Sequence, residues 1–113
     1  MTRRICFALD LQPGVETVTV YERMHRAGAV PPAVNANLRA AGVHAMEIWR
    51  VADRLMMICE VSENFSGFGQ AAADDPAIRQ WDADMAALQR GIAGSGSTSW
   101  AEMTRVFDLG AQS

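Results

Sequence analysis

The stretch "VHAMEIWRVADRLMMICEV", residues 43–61, constrains the fold more than any other part of the chain. Apolar residues dominate Val43–Trp49 and Arg54–Val61, and Val51-Ala52-Asp53 falls between them. This pattern predicts two antiparallel strands joined by a tight turn. Two further runs read as strands. "RICFALDL" (4–11) is compact, apolar and ended by Gln12-Pro13-Gly14, and "MTRVFDL" (103–109) alternates as a half-buried strand does.

Helical patterns fill the intervals. A helix is predicted from Pro13 to about Arg26, with Val15, Val18, Tyr21, Glu22 and His25 near one stripe. "AGAVPP" (27–32) breaks it, and Pro32 opens a shorter helix with Val34, Leu38 and Ala41 inward and Gly42 at its C-cap. Asp75 is a good N-cap with Pro76 at the first helical position, and Ile78, Trp81, Met85 and Leu88 then recur at helical spacing to about Arg90. "GIAGSGSTS" (91–99) reads as a flexible loop. The order strand, helix, strand, strand, helix, strand is the α+β, ferredoxin-like split βαβ plan, with one four-stranded antiparallel sheet and both helices on one face. No repeat or linker divides residues 1–113, so one domain is expected. Trp49, Met56 and Phe107 lie in predicted strands, and some of them must point to the face the helices leave bare. A second copy covering that face predicts a homodimer, a dimeric α+β barrel.

Composition narrows the function. Half of the 113 residues are apolar and net charge is −3, with all ten basic residues Arg and no basic run beyond Arg3-Arg4. Nucleic-acid binding, which needs clustered cations, is not expected. No run approaches the length of a membrane span, and Arg3-Arg4 precede an apolar run too short for a signal-peptide core, so no membrane partner is expected. Cys6 and Cys59 in apolar runs read as reduced, buried thiols, which places the protein in the cytoplasm. With no CxxC, no HxxxH and two distant histidines, no metal is expected.

The only tyrosine, Tyr21, precedes His25 by four residues, so on a helix phenol and imidazole stack one turn apart. Such a pair is either two packed helix residues or an acid–base site, since a His near pKa 6.5 gives and takes protons at neutral pH. The Gly/Pro-rich "RAGAVPP" is suited to form the lip of a pocket between helix and sheet. Trp81 reads as core, or as a flat platform for an apolar sugar face. Met46 suits core or a methyl-sized sub-pocket. Glu47 and Glu60, carboxylates within strands, are expected to pair with arginines across the sheet or a dimer seam.

Taken together, these segments resemble the L-rhamnose/L-fucose mutarotase family of dimeric α+β barrel sugar epimerases. The likeness runs from "CFALDL" to "FDL". It includes Tyr21/His25, "P-x-V-x-x-x-L-R-x-x-G-V" from Pro32, "MEIW" (46–49), "RLMMICEV" (54–61), "W-x-x-x-M" from Trp81 and "W-x-x-M-x-x-V-F-D-L" from Trp100. "MEIW" and "CFALDL" look more like the fucose-type branch. The resemblance implies His25 as catalytic acid/base, with Tyr21, Met46 and Trp81 as substrate-binding residues. It also implies a small-molecule sugar substrate and no cofactor. It departs where "HRAGAVPP" is longer by about two residues, with Pro31 in the place of a Trp, and where Asp82 replaces a second aromatic. The expected activity is interconversion of the α and β anomers of a 6-deoxy-L-sugar, L-fucose before L-rhamnose. The alternatives are another small-molecule enzyme on the same barrel, of monooxygenase or lactone isomerase type, and a non-catalytic dimeric ligand-binding module.

Overall fold

A computed structural model describes residues 1–68 and 74–112. The chain is α+β, as the sequence predicts. In order, it forms β1 (Thr2–Leu11), α1 (Val15–Met24), α2 (Pro32–Ala40), β2 (Val43–Val51), β3 (Arg54–Ser62), α3 (Pro76–Leu88), β4 (Gln89–Arg90) and β5 (Ala101–Glu102), with a 3-10 turn at Leu109–Ala111. The antiparallel sheet runs β2-β3-β1-β4, and β5 also pairs with β1.

The β1–β3 register decides which side chains face the helices. Ile5 opposes Cys59, Phe7 opposes Met57 and Leu9 opposes Leu55. Because strand side chains alternate, this set shares one face, and Ile5, Leu9, Leu55, Met57, Cys59 and Val61 are all buried there. Met46 and Ile48 of β2 join the same face opposite Cys59 and Met57. Two apolar clusters result. One gathers Ile5, Val43, Met57, Cys59, Val61 and Phe65 against Leu38 and Ala41. The other gathers Leu11, Tyr21, Leu55 and Met85 against Val18, Trp81 and Leu88.

Local chemistry explains most element boundaries. The Asp75 carboxylate accepts from the N–H groups of Ala77 and Ile78, so α3 begins with two otherwise unpaired donors satisfied. Gly42 ends the α2 region at φ +97, and a side chain there would collide with Ser62, so the turn into β2 requires glycine. Ala52 takes φ +51 in the β2–β3 turn. On the opposite sheet face, Asp10 is buried and takes two bonds from Arg54, at 2.8 and 3.2 Å, its cross-strand neighbour. That hydrogen bonding holds the Asp10 carboxyl below its usual range, against the opposing effect of burial.

Three expectations are corrected. Residues 103–109 do not form the fourth strand. Instead β4 pairs with Asp10 and Leu11, β5 pairs with Phe7 and Ala8, and the chain leaves β1 after the Met103 N–H bonds Cys6 O at 2.7 Å. The alternating pattern of 103–109 is therefore that of a strand for which the single chain supplies no ladder. The last helix stops at Leu88 rather than near Arg90, because Gln89 and Arg90 turn extended to meet β1. Finally, α1 spans Val15–Met24, so His25 caps the helix C-terminus rather than lying inside it, and Val15 is exposed. Trp49 and Met56 oppose one another on the face without helices, with Trp49 59 % exposed.

Leu55 sits at the centre of the cluster that seats Tyr21. Replacing it by Ala is expected to lower unfolding stability by about 2–5 kcal/mol in urea denaturation, from lost transfer energy plus the cavity left behind. A loss under about 1 kcal/mol would mean that the cluster is not close-packed.

Candidate active site

Helix α1 reaches the sheet through Tyr21, only 4 % exposed and packed with Leu11, Leu55 and Met85. One turn later the helix ends at His25, and the two rings lie nearly parallel, with centroids 4.0 Å apart. The i, i+4 stacking expected from sequence is thus present. Trp81, on the inward side of α3, stands edge-on to the imidazole at 5.1 Å.

Hydrogen bonding fixes the tautomer of His25. Its Nδ1 lies 2.7 Å from the Tyr21 carbonyl oxygen. A carbonyl only accepts, so Nδ1 carries the proton and Nε2 keeps its lone pair. The bond also satisfies one carbonyl of the last turn of α1. Burial lowers the His25 pKa, while the bond from Nδ1 to the carbonyl works the other way. Burial prevails, which leaves a neutral imidazole with a free base nitrogen at neutral pH. Tyr21 behaves oppositely. Burial raises its pKa to about 12, and hydrogen bonding from the Gln89 side chain only partly offsets this. The phenol therefore stays protonated and acts as a neutral hydrogen-bonding group.

Beside this pair lies an open cleft of about 240 Å³, lined by Met24, Ala29, Pro31, Ala77, Gln80, Trp81 and Asp84. Its volume falls below the 300–1,000 Å³ typical of drug-sized sites. Ala29 and Pro31 come from the predicted lip. Ala77, Gln80, Trp81 and Asp84 are spaced three and four apart, the signature of one face of α3. His25 is not on the cleft wall. It adjoins the wall through Met24, next in sequence, and through the ring of Trp81. Within the cleft the Gln80 Nε2 donates to Asp84 Oδ1 at 2.8 Å, giving an otherwise apolar surface one polar edge.

Of the four site residues expected from sequence, Tyr21, His25 and Trp81 come together. Met46 faces the same side of the sheet but packs on the neighbouring cluster. Ile48 and Trp100 lie against both clusters and bridge the gap. Glu60 reaches Arg4 across the sheet at 3.8 Å, whereas Glu47 accepts from the Trp49 indole at 3.0 Å instead of pairing with an arginine. Sequence reasoning missed Gln89, Trp100, Gln80 and Asp84 as neighbours of the site. Gln80 and Asp84 were legible in the i, i+3 spacing from Ala77 and Trp81. Gln89 was not, because its position depends on the helix stopping one residue earlier.

The geometry brings together an imidazole backed by a phenol and edged by an indole, on a sheet-and-helix scaffold. The sequence matches the family described as L-rhamnose mutarotase over residues 4–109, and the chain belongs to that family. It is 39 % identical over 110 residues to a protein of Xanthomonas campestris pv. campestris described as L-fucose mutarotase, covering 95 % of this chain and 88 % of that one. The crystal structure of an L-rhamnose mutarotase from Formosa agariphila superposes with a TM-score of 0.66 at 21 % identity, covering 95 % of this chain and 98 % of that one. This last likeness carries the fold. Family membership and the curated relative make the chain a mutarotase, an isomerase.

The hydrogen bond to the Tyr21 carbonyl makes a spectroscopic prediction. Nitrogen-detected NMR near pH 7.5 is expected to show His25 protonated at Nδ1 and bare at Nε2, and its titration midpoint is expected below the ordinary 6.5. A proton resident on Nε2 in the free protein would contradict the assignment.

Proposed function

We propose that the chain interconverts the α and β anomers of a 6-deoxy-L-sugar, L-fucose in preference to L-rhamnose, with His25 as the proton-transfer group. The observation that carries this reading is the His25 imidazole held with Nδ1 on the Tyr21 carbonyl and Nε2 free, next to a cleft bounded by Trp81. The 39 % identical relative described as L-fucose mutarotase supports the preference for fucose.

Anomer exchange requires a proton to leave the anomeric hydroxyl and a proton to reach the ring oxygen. The C1–O5 bond opens, the aldehyde turns about C1–C2, and O5 closes on the other face of C1. His25 Nε2 accepts the first proton as a neutral base. As imidazolium it delivers the proton to O5, directly or through water, and the reverse exchange on closure restores the neutral ring. One group serves both steps, so no net proton is consumed. Burial that disfavours the imidazolium makes it a short-lived and stronger acid, suited to giving the proton up again. Tyr21, neutral at any working pH, is assigned to a hydrogen bond at the reacting oxygens. Trp81 is assigned to the apolar face of the sugar, and Met46, Ile48 and Met24 to the apolar surround of the C6 methyl.

The reading extends to assembly. Trp49, Met56, Val51 and Ile58 share the sheet face without helices, and Trp49 and Val51 are largely exposed. Pairing of two such faces gives a homodimer with both helix-side sites left accessible. Among the described residues no helix is long and apolar enough to cross a membrane. The free thiols of Cys6 and Cys59 support a cytoplasmic setting.

Exchange NMR at the anomeric proton tests the assignment. Wild-type protein is expected to accelerate exchange of L-fucose more than that of L-rhamnose. His25→Ala should lose about 10²–10⁴-fold, the usual worth of a positioned acid–base group. Tyr21→Phe keeps the stacked ring and removes only the hydroxyl, so a smaller loss of about 10-fold is expected, the worth of one hydrogen bond near 1.4 kcal/mol. An H25A variant as fast as wild type would falsify the mechanism. Because His25 acts as a base with a lowered pKa, the rate should fall as pH drops through that pKa and stay level above it.

A further inference from the structure

One carboxylate in the cleft stands apart from every other partly buried acid of the chain. Among the described residues, Asp10, Asp53, Asp75, Asp84 and Asp108 are the acids not fully exposed. Asp10 meets Arg54, Asp53 meets Arg90 and Asp108 meets Arg105, while Asp75 caps α3. Asp84 has neither a cation nor a helix end. Its carboxylate takes one bond, from the neutral Gln80 amide at 2.8 Å, and it faces a cleft otherwise walled by apolar side chains and Trp81. A half-buried charge of this kind is costly unless hydrogen-bond donors come to it.

The pair has capacity to spare. An ionised carboxylate accepts at about four sites, and Gln80 occupies one. Because that carboxylate only accepts, the Gln80 nitrogen points to Asp84, and the amide oxygen and second N–H are left for a ligand. Both side chains sit on the α3 face next to Trp81, whose ring reaches the His25 imidazole at 5.1 Å. A pyranose has C1 and O5 on one side of its ring and C3 and C4 on the other. With C1 and O5 at His25 Nε2 and an apolar face on Trp81, C3 and C4 extend over the indole into the cleft. Hydroxyls there lose water against Met24 and Pro31 and need partners. Gln80 and Asp84 are the polar side chains that line it.

We infer that Asp84, oriented by Gln80, is the specificity-determining residue of the site and accepts hydrogen bonds from the C3 and C4 hydroxyls of the sugar. The inference rests on the function proposed above and names the part of the substrate that is read. These hydroxyls are remote from the bonds that change, so their bonds to Asp84 hold the sugar equally before and during ring opening. Their loss falls on KM rather than on kcat. The C2 hydroxyl adjoins the reacting carbon and lies outside the reach of this edge.

Anomeric exchange rates over a range of sugar concentration, with calorimetric binding of L-fucose, test the inference. Asp84→Ala is expected to raise KM for L-fucose about 10–100-fold, the worth of hydrogen bonds to a charged group, with kcat close to wild type. Wild type should handle 3-deoxy- and 4-deoxy-L-fucose at least ~10-fold less well than L-fucose, whereas D84A should barely distinguish them. Removing the C2 hydroxyl should cost both proteins the same. Asp84→Asn keeps the shape, so the same direction of change there excludes misfolding as the cause. An unchanged KM in D84A, with His25→Ala slow, overturns the reading of Asp84 and leaves the proposed function standing. Equal losses in D84A on L-fucose and on both deoxy sugars also overturn it, since a merely structural residue behaves so. Binding of L-fucose that weakens in D84A, without acceleration by wild type, overturns the proposed function and keeps the recognition edge. Neither binding nor acceleration overturns both.

Discussion

The antiparallel register between β1 and β3 is the constraint on which the rest of the molecule depends. It runs without interruption from Thr2↔Ser62 to Asp10↔Arg54. A slip of one residue would turn Leu55, Met57, Cys59 and Val61 to the face without helices and bring Met56, Ile58 and Glu60 under them. The observed register places Leu9 and Leu55 opposite each other as the floor on which α1 and α3 dock. The same register sets Asp10 beside Arg54 on the other side, so the one carboxylate buried among the described residues meets a guanidinium in two-bond geometry. A slipped pairing would strand that charge, which makes the ion pair a guard on register as well as a contact.

The site follows from that floor. Tyr21 is anchored by Leu11, Leu55 and Met85, and α1 has only one further turn before it ends. Ending at His25 matters chemically. Inside a helix, the Tyr21 carbonyl would be taken by the backbone N–H four residues on. At the C-terminus the His25 N–H turns to Glu22 O at 3.2 Å, and the carbonyl is free to accept from the imidazole. The helix end thus sets the tautomer and aims Nε2 away from the protein's own acceptor. Burial then lowers the basicity of the ring, while the phenol beneath it is held protonated by the same burial. One low-dielectric environment acts on two groups of opposite charge type and keeps both neutral.

Much of this was legible in the sequence, and the failures share a cause. The Tyr21/His25 spacing, the Asp75-Pro76 helix start, the hairpin at 43–61 and the inward stripe of α3 are local patterns, and local patterns survive the step from sequence to fold. What could not be read were features set by contacts between distant segments. Gln89 approaches Tyr21 only because β4 is pulled out of the helix by Asp10 and Leu11. Met46 shares a face with Tyr21, as alternation demands, yet its distance from the imidazole depends on how far Ile48 and Trp100 intervene. Residues 103–109 failed in the other direction. Their alternation is a strand pattern, but pairing needs a partner, and β1 supplies one only as far as the Met103 N–H.

Trp100 ties the two halves of this picture together. It packs against both apolar clusters, including the one that seats Tyr21, and β5 follows it directly in sequence. The base of the 103–109 segment is therefore fixed to the floor of the site by one large ring and two ladder positions, Phe7↔Glu102 and Ala8↔Ala101. The Gly/Ser loop at 91–99 absorbs whatever path is needed between β4 and that anchor, so the direction in which the segment leaves the sheet is set by Trp100 and not by the loop. Loss of the indole would remove a packing partner from both clusters at once and loosen the exit of the segment together with the floor under Tyr21. The proposed assembly face and the candidate site lie on opposite faces of the sheet, yet they share this residue.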